Sequence, residues 1–289
     1  MKEAKSRLNM ILAMGIFGTA GLIRRLIPLS SGAIAAVRGV IGMLFLLVVM
    51  ALRREGFAKI KGKWLLLLFS GACIGFNWML LFEGCVYSVT VATVCYYVAP
   101  LLVAVLSPLF LKEKTTKRKL LCVLCALLGV SMVSGLFSFG GMTGSNGAAA
   151  LYGLSAALLY ALVMLLNKRM SDLPAYPKTA CQLGAAGMVI LPYVLVSEIK
   201  SFALLSFDAV LLLLLLGVLH TGLAYVLYFS AFSGLSAQSV ALMSYLDPIV
   251  AVVLSALILN ERMGPIEIVG IVLTLLSALV AEWPQHKKT

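Results

Sequence analysis

Apolar residues in this chain run in blocks of about twenty, separated by short polar gaps. A helix of about 18 or more apolar residues with few charges is long enough to cross the ~30 Å hydrocarbon core of a bilayer. Ten such blocks occur along the 289 residues, at roughly 8–28, 33–52, 63–83, 88–111, 118–138, 148–169, 178–198, 207–232, 237–259 and 265–283. Composition agrees: 62% of residues are hydrophobic and only 12% are charged, about half the charge of a soluble domain. The short alternating segments of a membrane barrel are absent. The expected fold is therefore an all-α membrane protein with ten transmembrane helices. The opening residues, MKEAKSRLNMILAMGIFGTAGLIRR, are basic and then apolar like a signal peptide. No convincing cleavage site precedes the blocks that follow, so this segment is expected to remain as the first span.

The net charge of +12 follows from orientation rather than from a nucleic-acid partner, which would need a basic face on a soluble domain. With the N-terminus inside, eighteen of the 23 lysines and arginines fall on inner segments. Only Arg24, Arg25, Lys200 and Arg262 fall outside, and Arg38 lies within a span. This asymmetry places both termini in the cytoplasm of a multi-pass protein of the inner or plasma membrane. The six cysteines lie in or beside apolar blocks. They offer neither a disulfide framework nor four metal ligands at workable spacing. No cofactor or metal is implied.

The chain also repeats itself. Residues 96–113 read YYVAPLLVAVLSPLFLKE, and residues 244–261 read SYLDPIVAVVLSALILNE. Over 97–113, eight of seventeen positions recur 148 residues later, including Tyr97/Tyr245, Pro100/Pro248, Ser107/Ser255 and Glu113/Glu261. A proline and a glutamate in register thirteen residues apart mark an internal repeat. The expected division is 1–138, a linker at 139–147 rich in glycine and serine, and 148–289. Five spans per half is an odd number, so the second half must enter the membrane inverted. Inverted repeats are a hallmark of secondary transporters, with the substrate held near the midplane where corresponding helices are interrupted. Pro100 and Pro248 are such interruptions, and Asp247 stands beside the second break where the first has Ala99.

The paired stretches PLLVAVLSPLFLKEK and PIVAVVLSALILNER resemble the drug/metabolite transporter superfamily, and within it the ten-span EamA-type exporters. AAVRGVIGML, NWMLLFEG and HTGLAYVLYF agree with that resemblance. It implies a central cavity between two halves, open alternately to each side. It also implies export or exchange of amino acids and similar small metabolites.

Charged groups inside a membrane default to functional candidates. Asp247 is expected to carry a proton or to meet a cationic group of the substrate; the structural alternative is a neutral acid bonded to backbone freed by Pro248. His220 is mid-span, with Thr221, Tyr225, Tyr228 and Phe232 following on one helix face. They are read as a cavity wall, the alternative being that His220 bonds a neighbouring helix. Asn77, Trp78, Tyr96, Tyr97 and Tyr245 complete the cavity set. Asn77 is also suited to bonding across helices. Arg38 and Glu83 are a candidate ion pair gating the outer mouth. Glu113 and Glu261 are read as structural, with Thr115 and Thr116 able to cap the helix after the first and Pro265 opening the helix after the second.

The reading is a secondary transporter for a small polar solute in a lipid bilayer, with protons as candidate coupling ions. No Walker motif provides for ATP. A membrane-embedded enzyme would need clustered acids or histidines, and the chain has two histidines, one of them His286 in the tail. A scaffold or receptor would not need a repeat with mid-helix prolines. Small residues at GxxxG-like spacing are compatible with a homo-oligomer and do not require one.

Overall fold

The computed structural model describes residues 2–24, 26–60, 62–133, 144–198, 202, 205–258 and 264–282. The regular structure of the described residues is entirely helical. Seven segments are long and apolar enough to cross a membrane. They begin with α1 (Lys2–Arg24), α2 (Ser31–Leu52) and α3 (Trp64–Tyr87), followed by a broken segment made of α4 (Val89–Tyr96) and α5 (Ala99–Leu111). After α6 (Lys117–Val133) come α7 (Gly144–Arg169), α8 (Ala175–Ser197) and a segment joining α9 (Phe207–Gly217) to α10 (Ala224–Ala231). The last blocks hold α11 (Ala237–Met243), α12 (Leu246–Ile258) and α13 (Pro265–Glu282). The blocks expected at 118–138, 237–259 and 265–283 thus contain shorter helices. Residues 134–138, 259 and 283 lie outside the described residues, as do Arg25, Lys200, Arg262, Glu261 and His286. Residues 139–143 of the expected linker also lie outside them, and its last four residues, 144–147, already belong to α7.

Local chemistry sets the helix starts. Ser30, Ser88, Ser206 and Ser236 precede α2, α4, α9 and α11, and each hydroxyl accepts from a backbone N–H of the first turn. These bonds satisfy donors that the helix itself leaves free. Thr116 caps α6 in the same way, at 3.2 Å from the Lys119 N. Thr115, the other expected cap, instead donates to Ala104 O at 2.8 Å. Pro100 falls in the first turn of α5 and Pro248 in the first turn of α12, where a missing N–H costs nothing. The prolines therefore open the second half of each broken rod.

Lipid-like surroundings explain the packing. Leu52, Leu65, Leu109 and Val196 are 77–87% exposed, whereas Asn77, Gln182, Gln238 and Ser107 are buried. Water would favour the reverse arrangement; hydrocarbon favours this one, with polar side chains bonding between helices. Gln182 on α8 donates to the Ser70 hydroxyl on α3 at 2.7 Å. Gln238 on α11 donates to Ser107 on α5 at 2.6 Å and to Thr115 at 2.8 Å.

The helices interleave across the two halves of the chain. α3 packs on α7 and α8, α2 on α8 and the α9–α10 segment, and α1 on α10 and α12. α4 and α5 pack on α7, α5 meets α11, and α6 packs on α13. Close approach of α3 to α8 requires glycine at 71, where a Cβ would stand 2.4 Å from the Gln182 carbonyl oxygen. That neighbour is backbone and cannot rotate away. Gly71→Ala is expected to destabilise the protein by about 2 kcal/mol, read as a lower melting temperature in detergent.

Candidate functional site

The two broken rods meet at their breaks. At the first, the chain leaves α4 at Tyr97 and re-enters a helix at Ala99. At the second, it leaves α11 at Ser244 and re-enters at Leu246. A break frees carbonyls that need donors in a membrane. One of them, Tyr97 O, accepts from the Tyr245 hydroxyl at 2.8 Å. The tyrosine of one break therefore satisfies the backbone of the other. Tyr245→Phe removes this donor and is expected to cost about 1 kcal/mol, measured as a loss of thermal stability with the same detergent-solubilised protein.

A small cavity lies between the breaks, with about 40 Å³ of room. That suffices for a water or two and not for a metabolite. Asp247, Ser244 and Tyr245 face it from the second break; Tyr96, Tyr97 and Pro100 face it from the first. Met14 and Phe17 of α1 and Tyr160 of α7 close the remaining sides. Among the described residues, no side chain or backbone group donates a hydrogen bond to the Asp247 carboxylate. Backbone freed by Pro248 therefore does not hold it. An acid with no protein donor in a small cavity must be satisfied by water, a proton or a cationic solute.

Aromatic rings extend outward from this cavity. Tyr160 stacks on Tyr96 with centroids 5.3 Å apart, and its hydroxyl donates to that of Tyr228 at 2.9 Å. Phe17 meets Tyr225 edge-on at 5.1 Å, and Tyr225 meets Trp78 at 6.0 Å. The Arg38 guanidinium lies 4.3 Å from the Trp78 ring centre. Ring contacts therefore run from the cavity that Asp247 faces, through tyrosines and Trp78, to Arg38.

Two expected cavity residues bond helices together instead. Asn77 donates to Ala156 O at 2.7 Å, joining α3 to α7. His220 Nε2 lies 2.8 Å from the Thr19 hydroxyl of α1, so the neighbouring-helix alternative describes its contact. It sits in a π-helical stretch, Val218–Leu223, a feature common where a helix adjusts to function or close packing. Arg38 and Glu83 form no ion pair among the described residues. Glu83 is exposed in a vestibule of about 480 Å³, with Arg24, Ser30 and Glu198.

The opposite end of the bundle is clasped by groups not assigned to the cavity. Both Glu113 oxygens lie 3.1 Å from the Ala237 N, so this carboxylate covers the start of α11. Lys168 Nζ is 4.0 Å from Glu113 and donates to Phe232 O at 3.1 Å and Leu235 O at 2.7 Å. Lys178, counted in sequence among inner-surface charges, is 1% exposed, with its Nζ 3.4 Å from the carbonyls of Met170 and Phe229. These lysines supply donors to helix C-termini, where carbonyls are otherwise unpaired.

Apolar helices, internal polar bonding and a central acid define a multi-pass membrane protein. The EamA-like transporter family model matches residues 5–135 and again 147–282. The chain belongs to that family and is a transporter. It is similar to "Uncharacterized transporter YxxF" of Bacillus subtilis (strain 168), with 30% identity over 94% of this chain and 88% of that protein. It is also similar to "Protein PecM" of Dickeya dadantii (strain 3937), at 29% identity over 63% of this chain and 60% of that protein. A solved crystal structure shares the fold, with a TM-score of 0.84 at 15% identity over 96% of this chain and 97% of that one.

Proposed function

We propose that the protein is a secondary exporter of small polar metabolites, amino acids among them, working by alternating access around the cavity at Asp247. The observation that carries this reading is an acid without a protein donor, facing a nearly closed cavity between two helix breaks. A vestibule of about 480 Å³ stands at one end of the bundle, and the Glu113–Lys168 clasp stands at the other. Such a state is closed on one side and is poised to admit solute from the other.

The helices in the ten blocks are read as ten spans forming two inverted halves, 1–138 and 148–289, in the cell membrane with cytoplasmic termini. Contacts between residues 148 positions apart support the inversion. Gly39 packs on Gly187, where an added Cβ would be 3.5 Å from the partner Cα. Tyr97 bonds Tyr245, and the Thr274 hydroxyl is 3.5 Å from Ala126 O. Residues equivalent by repeat touch one another only near a two-fold axis. The packing pairs also exchange consistently: α3 on α7 corresponds to the α9–α10 segment on α1, and α4–α5 on α7 corresponds to α11–α12 on α1. Asp247 breaks this symmetry and is the group expected to couple solute movement to a proton. His220 is placed in the same reading as a joint between α1 and the α9–α10 segment.

Reconstitution into sealed vesicles tests the proposal. Radiolabelled amino acids and other small polar metabolites, screened as a panel, should include at least one whose counterflow requires the protein. No counterflow across the panel, from a protein that remains folded, would count against metabolite export.

A further inference from the structure

A second pocket lies between the midplane cavity and the vestibule. Its volume is about 210 Å³. It shares Arg24, Ser31 and Phe82 with the vestibule and is continuous with it. Two guanidinium groups face this pocket, Arg24 from the end of α1 and Arg38 from within α2. Arg24 already holds the Ser31 hydroxyl at 2.7 Å. Ile34, Phe82 and Leu216 form apolar walls. Among the described residues no aspartate or glutamate lines it. The vestibule's Glu198 is engaged by the Ser30 hydroxyl, and Glu83 does not pair with Arg38.

Arg38 is the unusual group. Its guanidinium sits 4.3 Å from the Trp78 ring centre, which fixes its position by cation–π attraction. Its Nε is sealed from solvent and has no hydrogen-bond partner. A guanidinium presents N–H donors in a planar fork that matches a carboxylate. Two such groups, one with an unused buried donor, facing a pocket without an acid, lack only an acceptor.

We propose that this pocket is an anion-binding station in which Arg38 and Arg24 hold the carboxylate of the transported solute, with Phe82 and Ile34 against its apolar body. The inference rests on the transporter reading only in calling the ligand a cargo. A carboxylate held here and a cationic group reaching Asp247 would be met by opposite ends of the aromatic path.

The binding is tested without transport. The probe is cyclohexanecarboxylate, with cyclohexanemethanol as its neutral counterpart, titrated into the full chain in a neutral detergent. Trp78 fluorescence is the readout, in a Trp64→Phe, Trp283→Phe background, because the chain has three tryptophans and Trp78 lies against Arg38. The carboxylate should give a saturable change and the alcohol none. Arg38→Gln should weaken the response at least tenfold. Arg24→Gln, at an exposed side chain, should weaken it several-fold and serves should Arg38→Gln not fold. An equal response to the alcohol, or wild-type affinity in Arg24→Gln and in any folded Arg38→Gln, would overturn the proposal. The titration is repeated in nanodiscs of phosphatidylcholine and of phosphatidylglycerol. Equal affinity in both supports a soluble carboxylate, whereas loss in phosphatidylglycerol alone assigns the pocket to lipid phosphate and overturns the cargo assignment. Counterflow without the Trp78 response sinks the station and spares the transporter reading; the response without counterflow does the opposite.

Discussion

Asp247→Asn should reduce counterflow at least tenfold while leaving the protein folded, and Asp247→Leu should make the protein more stable than wild type. The two effects have one cause. The carboxylate faces a small cavity and has no protein donor among the described residues, so only water, a proton or solute meets it and the protein gains nothing from its own contacts to it. Replacing a polar group that no protein group meets gains about 1–3 kcal/mol in proteins, and leucine keeps the branched shape while its larger methyl groups extend into the cavity. A residue that costs stability and serves only packing would show no loss of flux on replacement. Thermal unfolding and counterflow measured on the same preparations read both effects. Stability lost in Asp247→Leu would mean that the acid has a partner, and unchanged flux in Asp247→Asn would remove it from the transport cycle.

The second large effect is expected at the clasp. Lys168→Met leaves the carbonyls of Phe232 and Leu235 without their shared donor and leaves Glu113 without its cation. Hydrogen bonds to charged groups contribute about 1.5–3 kcal/mol, and this side chain is 24% exposed. A stability loss of about 2 kcal/mol is expected. The clasp ties the ends of α5, α7 and α10 to the start of α11, so in the alternating-access cycle proposed above it is the contact that opens at that end. Weakening it shifts the population toward the alternative state. Lys168→Met should therefore raise the rate at which Ser244→Cys is alkylated from the side of the membrane on which the clasp lies. Unchanged alkylation, with the protein folded, would mean that the clasp does not gate that side.

Much of the architecture could be read from local signals. The apolar blocks prescribe helices because hydrocarbon allows no other open-chain solution. The breaks were readable at Pro100 and Pro248, since proline is best accommodated in the first turn of a helix, although Pro108 and Pro192 lie inside α5 and α8 without ending them. Ser88 and Ser236 mark the starts of the two broken rods for an equally local reason, the oxygen each offers to the first turn. What the chain did not reveal depends on which helices become neighbours. Tyr160 sits mid-block like Tyr225, and nothing in its own segment says that it stacks on Tyr96; its mid-span depth was the available hint. Asn77 and His220 carry the polar signature of a cavity wall, and the same signature serves to bond one helix to the next. Lys178 reads as a surface charge because it lies near the end of a block, yet the C-termini of α7 and α10 fold over it. Glu113 was readable as a helix-end residue, but its target, the start of α11, is 124 residues away.

In the proposed cycle, one cavity at the two breaks is reached from both sides of the membrane in turn. Ser244→Cys in a background with its six native cysteines replaced by serine or alanine tests it most directly. A membrane-impermeant thiol reagent is applied to sealed vesicles of each orientation, with the permeant analogue as control. Ser244→Cys should be modified from either side, and a transported solute should protect it from both. Modification from one side only, or by neither reagent in folded protein, would contradict it.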